Sequence, residues 1–340
     1  MTGLHGQPPA GATLDPGYVV ATESCLPEHV GSVGGKAVGL GSLLRTGQRV
    51  AASFVITAAA YRDYVSSGAR GLSPAMREAI GDNYVALCDR RGAALTVAVR
   101  SSATIEDSTE ASCAGQFRTY LGASGVEEVL EQVEQCWIAA FEPQIGSYRA
   151  ARQIDTADDG VAVIVQELVN ARAAGVMFTQ HPRTGDRSLV VIESSYGLGE
   201  AVVGGEVTPD LFEVNRITGQ VHDSRIGAKP FEHRLAPGGR SVLTLPIDDG
   251  RQRAWSIGEE QVMALLALAR DLEAKLGRGL DVEWAIGSTA GMVGEEALFT
   301  LQVRPITAGT ARPAAAGPNL DAVGHILDRL ASRRAGDGAP

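Results

Sequence analysis

Residues Val97–Gln116 read VAVRSSATIEDSTEASCAGQ. The stretch opens as the end of an apolar strand, ALTVAVR over 94–100, and breaks into hydroxyls and carboxylates without a turn dipeptide. A buried strand that gives way to a polar loop is an α/β pattern, in which sites gather at the carboxyl ends of strands. Arg100 therefore reads as the strand's last residue. Ser101, Ser102, Glu106, Asp107, Glu110 and Ser112 follow, and Gly115 leads into Gln116-Phe117-Arg118-Thr119. Such a loop suits a ligand rich in anionic oxygens; a solvated surface loop has the same composition.

Working outward, the N-terminal half alternates helix and strand. Gly31-Ser-Val-Gly-Gly-Lys36 opens a helix, SFVIT (53–57) is a short strand, and Ala58–Val65 and Pro74–Arg90 read as helices. Val126–Phe141 and Pro143–Arg152 are amphipathic at helical spacing. From 161 the texture turns to strands: VAVIVQELV, AAGVMFT, SLVVIES, DLFEVN and GQVHDS, parted by Gly/Asp turns. Glu259–Leu276 is a long helix, and DVEWAIG and ALFTLQVRPIT are two closing strands. The expected fold is α/β (α+β) with two lobes, roughly 18–160 and 161–308. Residues 1–17 form a flexible arm, and 309–340 hold an Ala/Pro linker, a short helix at about 320–333 and a loose tip.

The 340 residues allow one large domain or two to three subdomains. A net charge of −10 argues against wrapping nucleic acid. No apolar run is long enough to span a membrane, and the N-terminus lacks the pattern of a signal peptide, so the expectation is a cytoplasmic protein. Cys25, Cys88, Cys113 and Cys136 form no metal-ligand spacing and read as free thiols. Only Lys36, Lys229 and Lys275 supply lysine, so a lysine in a glycine loop stands out.

Three segments offer chemistry. Gly34-Gly35-Lys36 is not a Walker A loop, because Ala37 stands where a Mg²⁺-binding hydroxyl belongs. It still combines bare backbone N–H groups with a cation; a solvated lysine in a glycine turn is the alternative. Asp281 and Glu283 share one strand face, and Gln302 and Arg304 share another. If those strands pair as a hairpin, Glu283 meets Gln302 in a Mg²⁺–phosphate clamp, or else an exposed Glu–Arg pair forms. Val165-Gln166-Glu167-Leu168-Val169 has the look of an adenine-holding connection, or of an edge strand. Glu193, Glu200 and Glu206 are candidates to line a cleft. SSYGLGEAVVGGEVTPD lacks the third glycine of a dinucleotide fingerprint, and His181 is a lone histidine in a turn.

Taken in order, GGKAVGLGSLL, VRSSATIEDSTEASCAGQFRTYL, VQELV, GVMFTQHPRTGD, ESSYGLGEAVVGGEVTPD, DVEWA and LQVRPIT resemble one family. It is the nucleotide-binding domain of phosphoenolpyruvate synthase, pyruvate phosphate dikinase and rifampicin phosphotransferase, and the likeness covers about 20–308. The resemblance implies an ATP-grasp fold with Mg-ATP clamped between its lobes. It matches Lys36 to the glycine-loop lysine, and Arg100, Gly115 and Thr119 to the phosphate arginine and the loop after it. It places Gln166, with Glu167 and Val169 beside it, at the adenine, Glu283 and Gln302 on the metal, and Arg304 in the QVRP motif.

In that family the β-phosphoryl of ATP goes to a histidine, leaving AMP and phosphate. Here the chain stops soon after QVRPIT, and none of its six histidines lies in a Thr-Ser-His motif. The expectation is the ATP-binding subunit of a split dikinase. A separate phosphohistidine and acceptor-domain protein would serve as partner, with the tail helix as the docking element. The alternatives are a self-contained ATP-grasp kinase or ligase for a small molecule, and a nucleotide-binding regulatory module.

Overall fold

Strand VAVIVQE (161–167) organises the N-terminal unit. In the computed structural model, which describes residues 17–68, 71–103, 119–140, 160–237, 239, 241–290, 292 and 295–306, every residue of this strand is buried. Five strands form one antiparallel sheet: β1 (Val19–Ala21), β2 (Ser53–Ile56), β3 (Thr96–Ala103), β4 (Thr119–Ser124) and β5 (Val161–Glu167). Their order is β1-β2-β5-β3-β4, so β5 lies at the centre. A strand with neighbours on both edges and layers on both faces reads as continuous Val/Ile, not as an alternation. The change of texture at 161 is therefore no boundary. The chain divides into Met1–Gly47 with Ala51–Leu168, and Gln48–Val50 with Val169–Pro340.

Helices α1 (Val30–Arg45), α2 (Ala58–Ser66), α3 (Pro74–Arg91) and α4 (Val126–Ala139) belong to the first unit. α3 has clear stops: Ser73 Oγ accepts from Met76 N–H at 3.3 Å, Pro74 holds the first position, and Gly92 ends the helix at φ 67°. α4 buries Val129, Leu130, Val133, Cys136 and Trp137 at helical spacing. Burial pushes the thiols of Cys25 and Cys136 up to about 12, so both are packing groups.

β3 corrects the expected end at Arg100. The strand runs three residues further, and Ser101 and Ser102 are buried. The reason is tertiary. α1 is broken at Gly34 (φ 77°, ψ 164°), and a Cβ there would lie 2.1 Å from Ser102 O. The glycine loop thus seats on β3, and Ser102 Oγ accepts from Ala37 N–H at 3.2 Å where the second helical segment begins.

The second unit holds the antiparallel sheet β13-β12-β6-β7-β8-β9. Its strands are β6 (Asn170–Phe178), β7 (Leu189–Tyr196), β8 (Asp210–Asn215), β9 (Val221–Arg225), β12 (Leu280–Ser288) and β13 (Ala297–Pro305). A separate hairpin, β10 (Phe231–Leu235) with β11 (Val242–Pro246), was not expected from the sequence. Two short helices, α5 (Glu200–Val203) and α6 (Asp249–Gln252), precede the long α7 (Glu259–Leu276). α7 turns Val262, Leu265, Leu266, Ala269 and Leu272 inward. The helix expected at 143–152, most of the polar loop after Arg100 and the tail helix lie outside the described residues. No described helix is long and apolar enough to cross a membrane.

A fully buried ion pair ties this unit together. The ammonium of Lys229 meets the carboxylate of Asp210, both side chains at 0% exposure. Asp210 also accepts from Gly227 N–H at 3.0 Å, and from the amide and hydroxyl of Ser256, each at 2.7 Å. Lys229→Met would leave a buried carboxylate without its cation. We expect a loss of about 3–5 kcal/mol in urea unfolding; a change below ~1 kcal/mol would show that the pair holds little.

Candidate functional site

In the first unit, cross-strand register brings four of the expected residues to one region. Arg100 lies directly opposite Thr119 on β4 and Ile164 on β5. Gln166 lies opposite Ala98, two residues before Arg100, so Gln166, Arg100 and Thr119 share a face of the sheet. Lys36 reaches the same strand: its ammonium donates to Ser101 O at 3.1 Å, one residue beyond Arg100. The glycine loop is thus moored to β3 by Gly34 against Ser102 and by Lys36 on Ser101. Two cations, a hydroxyl and a backbone loop converge there, a set that suits phosphate oxygens. Gly115 lies outside the described residues.

Gln166 and Glu167 are both 3% exposed, and β5 is central, which removes the edge-strand alternative. The Gln166 amide donates to Ala51 O at 3.5 Å, and Arg91 Nε stands 3.1 Å from the Glu167 carboxylate. Val169 is buried at 3% and begins the second unit.

In the second unit β12 and β13 do form a hairpin, with Glu283 opposite Gln302 and Asp281 opposite Arg304. Gln302 is buried and Glu283 half-buried. Arg304 pairs with Asp281 across the hairpin. Its Nε and a terminal nitrogen donate to Asp281 Oδ2 at 2.9 and 2.8 Å. Asp281 thus fixes the guanidinium one pleat from the Glu283–Gln302 pair, a role that sequence spacing alone did not give it. Glu283 also lies opposite Val176, Val176 opposite Glu193, and Glu193 opposite Leu211. Gln302, Glu283 and Glu193 therefore stand in one cross-strand row on one face.

Glu200 and Glu206 belong elsewhere. They flank His233, with Glu200 3.5 Å from Nδ1 and Glu206 3.8 Å from Nε2. This trio was missed because His233 sits on the unexpected hairpin. His181 is structural in its immediate bonds: Nδ1 accepts from the backbone N–H groups of Arg183 at 3.2 Å and Thr184 at 3.3 Å. Among the described residues no cluster of three or more His, Cys, Asp or Glu side chains could hold a metal by itself, so any metal here needs the Gln302 amide or the ligand's own oxygens.

The chain belongs to the family described as pyruvate phosphate dikinase, AMP/ATP-binding domain, whose sequence model matches residues 67–322. It is 36% identical over 326 residues to a probable phosphoenolpyruvate synthase of Methanothermobacter thermautotrophicus, covering 85% of this chain and 46% of that protein. It is 37% identical over 290 residues to the prodigiosin synthesizing transferase PigC of Serratia marcescens, covering 81% and 31%. With a rifampicin phosphotransferase of Streptomyces sviceus the identity is 34% over 323 residues, covering 85% and 36%. The chain spans less than half the length of each of these relatives.

The His233 trio gives a signed pH dependence. The Glu200 carboxylate raises the imidazole's pKa, burial opposes it, and Glu206 adds to the rise. The resulting stability is complete below the ordinary imidazole value of about 6.5 and is lost as pH climbs through the raised one. Glu232 runs the other way. Burial pushes its carboxyl up, but Arg251 and Arg234 outweigh that and hold it below the ordinary value. Its contribution is lost only as pH falls through that lowered value, in the acid range. We expect the melting temperature of the wild type, relative to His233→Gln, to be highest below about pH 6.5 and to decline as pH rises above it. Parallel curves across that range would remove the trio from the stability account.

Proposed function

We propose that the chain is the Mg-ATP-binding phosphotransferase subunit of a split, phosphoenolpyruvate-synthase-like dikinase acting in the cytoplasm. ATP, water and a histidine on a separate protein would give AMP, phosphate and phosphohistidine, which then serves a small-molecule acceptor. Membership of the AMP/ATP-binding domain family supports the nucleotide. The partner is proposed because this chain's described histidines are engaged structurally or lie apart from the Arg100 and Glu283 sets.

The observation that carries the reading is Glu283 directly opposite Gln302, with Arg304 held one pleat away by Asp281. A carboxylate and an amide oxygen are hard donors that fit Mg²⁺. When bound, Mg²⁺ would withdraw charge from the phosphate oxygens. The protein's own part is positioning and neutralisation. Arg100 and Lys36 meet the phosphates from the glycine-loop side, and Thr119 offers a hydroxyl from the facing strand. Gln166, beside Glu167 and Val169, takes the base.

Phosphorus NMR of the chain with Mg-ATP, alone and with a phosphohistidine-domain protein, tests the reading. AMP and phosphate formed only with the partner is the expected result. ADP formed by the chain alone with a small substrate would make it a self-contained kinase or ligase. ATP bound but never consumed would make it a regulatory module. Glu283→Ala should lower turnover by at least about 10²-fold and remove the Mg²⁺ dependence of ATP binding. Arg100→Ala should lower turnover by on the order of 10³-fold, as loss of a transition-state arginine does. Near-normal turnover in either variant contradicts the assignment.

A further inference from the structure

The second unit holds a cavity of about 550 Å³ that none of the nucleotide residues lines. Its volume is that of a small-molecule site. The floor is the sheet face that carries Phe178, Val191 and Leu211, and the wall is the turn Val202–Val207 with Ile226 opposite. Two carboxylates rise from this floor. Glu193 lies opposite Leu211, and Glu213 lies opposite Val191.

Glu213 is the informative one. Its side chain is only 13% exposed, yet its one ion-pair partner among the described residues is His181 Nε2 at 3.5 Å. That imidazole accepts backbone N–H groups at Nδ1 and faces Glu213 through Nε2, at a distance longer than an ordinary hydrogen bond. The arginines of the cavity do not fill the gap. Arg183 is exposed, and Arg225 is exposed and paired with Asp223 at 3.3 Å. A largely buried carboxylate without a matched cation is costly, and a ligand that brings the cation recovers that cost.

We propose that this cavity binds an organic cation: a protonated amine or nitrogen heterocycle on an apolar body. The ammonium meets Glu213, with Glu193 as the second carboxylate, and the body packs on Phe178, Val191, Leu211 and Val202. The inference uses no residue assigned to ATP, and its cavity lies on the sheet face that also carries Glu283 and Gln302.

The test uses the full chain and two probes of one shape, 2-phenylethylammonium and neutral 2-phenylethanol, titrated by ligand-observed NMR. The cation should bind saturably in the millimolar range or better, and at least about tenfold more tightly than the alcohol. Glu213→Gln should erase that preference. Val203→Trp, which fills the cavity from its wall, should abolish binding of both probes with the melting temperature kept. Equal binding of cation and alcohol, cation binding unchanged in Glu213→Gln, or no saturable binding of the cation to the wild type would each overturn the proposal. If Glu213→Gln does not fold, the comparison of probes on the wild type and the Val203→Trp variant decide the matter.

Discussion

The antiparallel register of β12 with β13 is the constraint on which the second unit's chemistry rests. It sets Glu283 against Gln302 and Asp281 against Arg304. Side chains alternate with a period of two, so a slip of β13 by one residue would send Gln302 and Arg304 to the opposite face. The neighbouring β6 is pinned by the same logic. Val176 sits opposite Glu283 and Phe178 opposite Asp281, which carries the row on to Glu193. The register shift between Glu283 and Trp284 comes just after the paired residues, and Trp284 is fully buried. A buried indole on one face and a polar row on the other hold the strand from turning over.

The first unit solves a similar problem with backbone contact. A phosphate-sized loop is useful only if it is held still. Gly34 lets the loop lie against Ser102 where no side chain fits, and the Ser102 hydroxyl then receives the first amide of the helix that follows. This explains the serines after Arg100 in the opening stretch. They are buried parts of a strand that moor the glycine loop, and they place Lys36 within reach of Ser101 O.

Much of this was legible in the sequence. Strands with clean alternation or continuous apolar runs, and the long helix Glu259–Leu276, follow from periodicity. The Glu283–Gln302 pairing was legible because DVEWA and LQVRP are short, regular and close in sequence. What escaped depends on tertiary partners. β3 passes Arg100 because the buried Ser102 hydroxyl is satisfied by α1, which no local pattern records. The β10–β11 hairpin was hidden because Leu243 and Leu245 of β11 lie exposed, so the strand lacks the buried face that alternation marks. With it went His233 as the partner of Glu200 and Glu206. Asp281 was noted for its face but not for its hold on Arg304, because equal spacing allows Arg304 either acidic partner.

The central proposal is that Arg100 and Glu283 serve the same nucleotide. A double-mutant cycle on ATP affinity in saturating Mg²⁺ tests it most directly, with wild type, Arg100→Ala, Glu283→Ala and the double variant. Groups acting on one bound phosphate chain should couple by about 0.5–3 kcal/mol. Losses that add to within about 0.3 kcal/mol would mean that the two residues act independently, and would contradict the account.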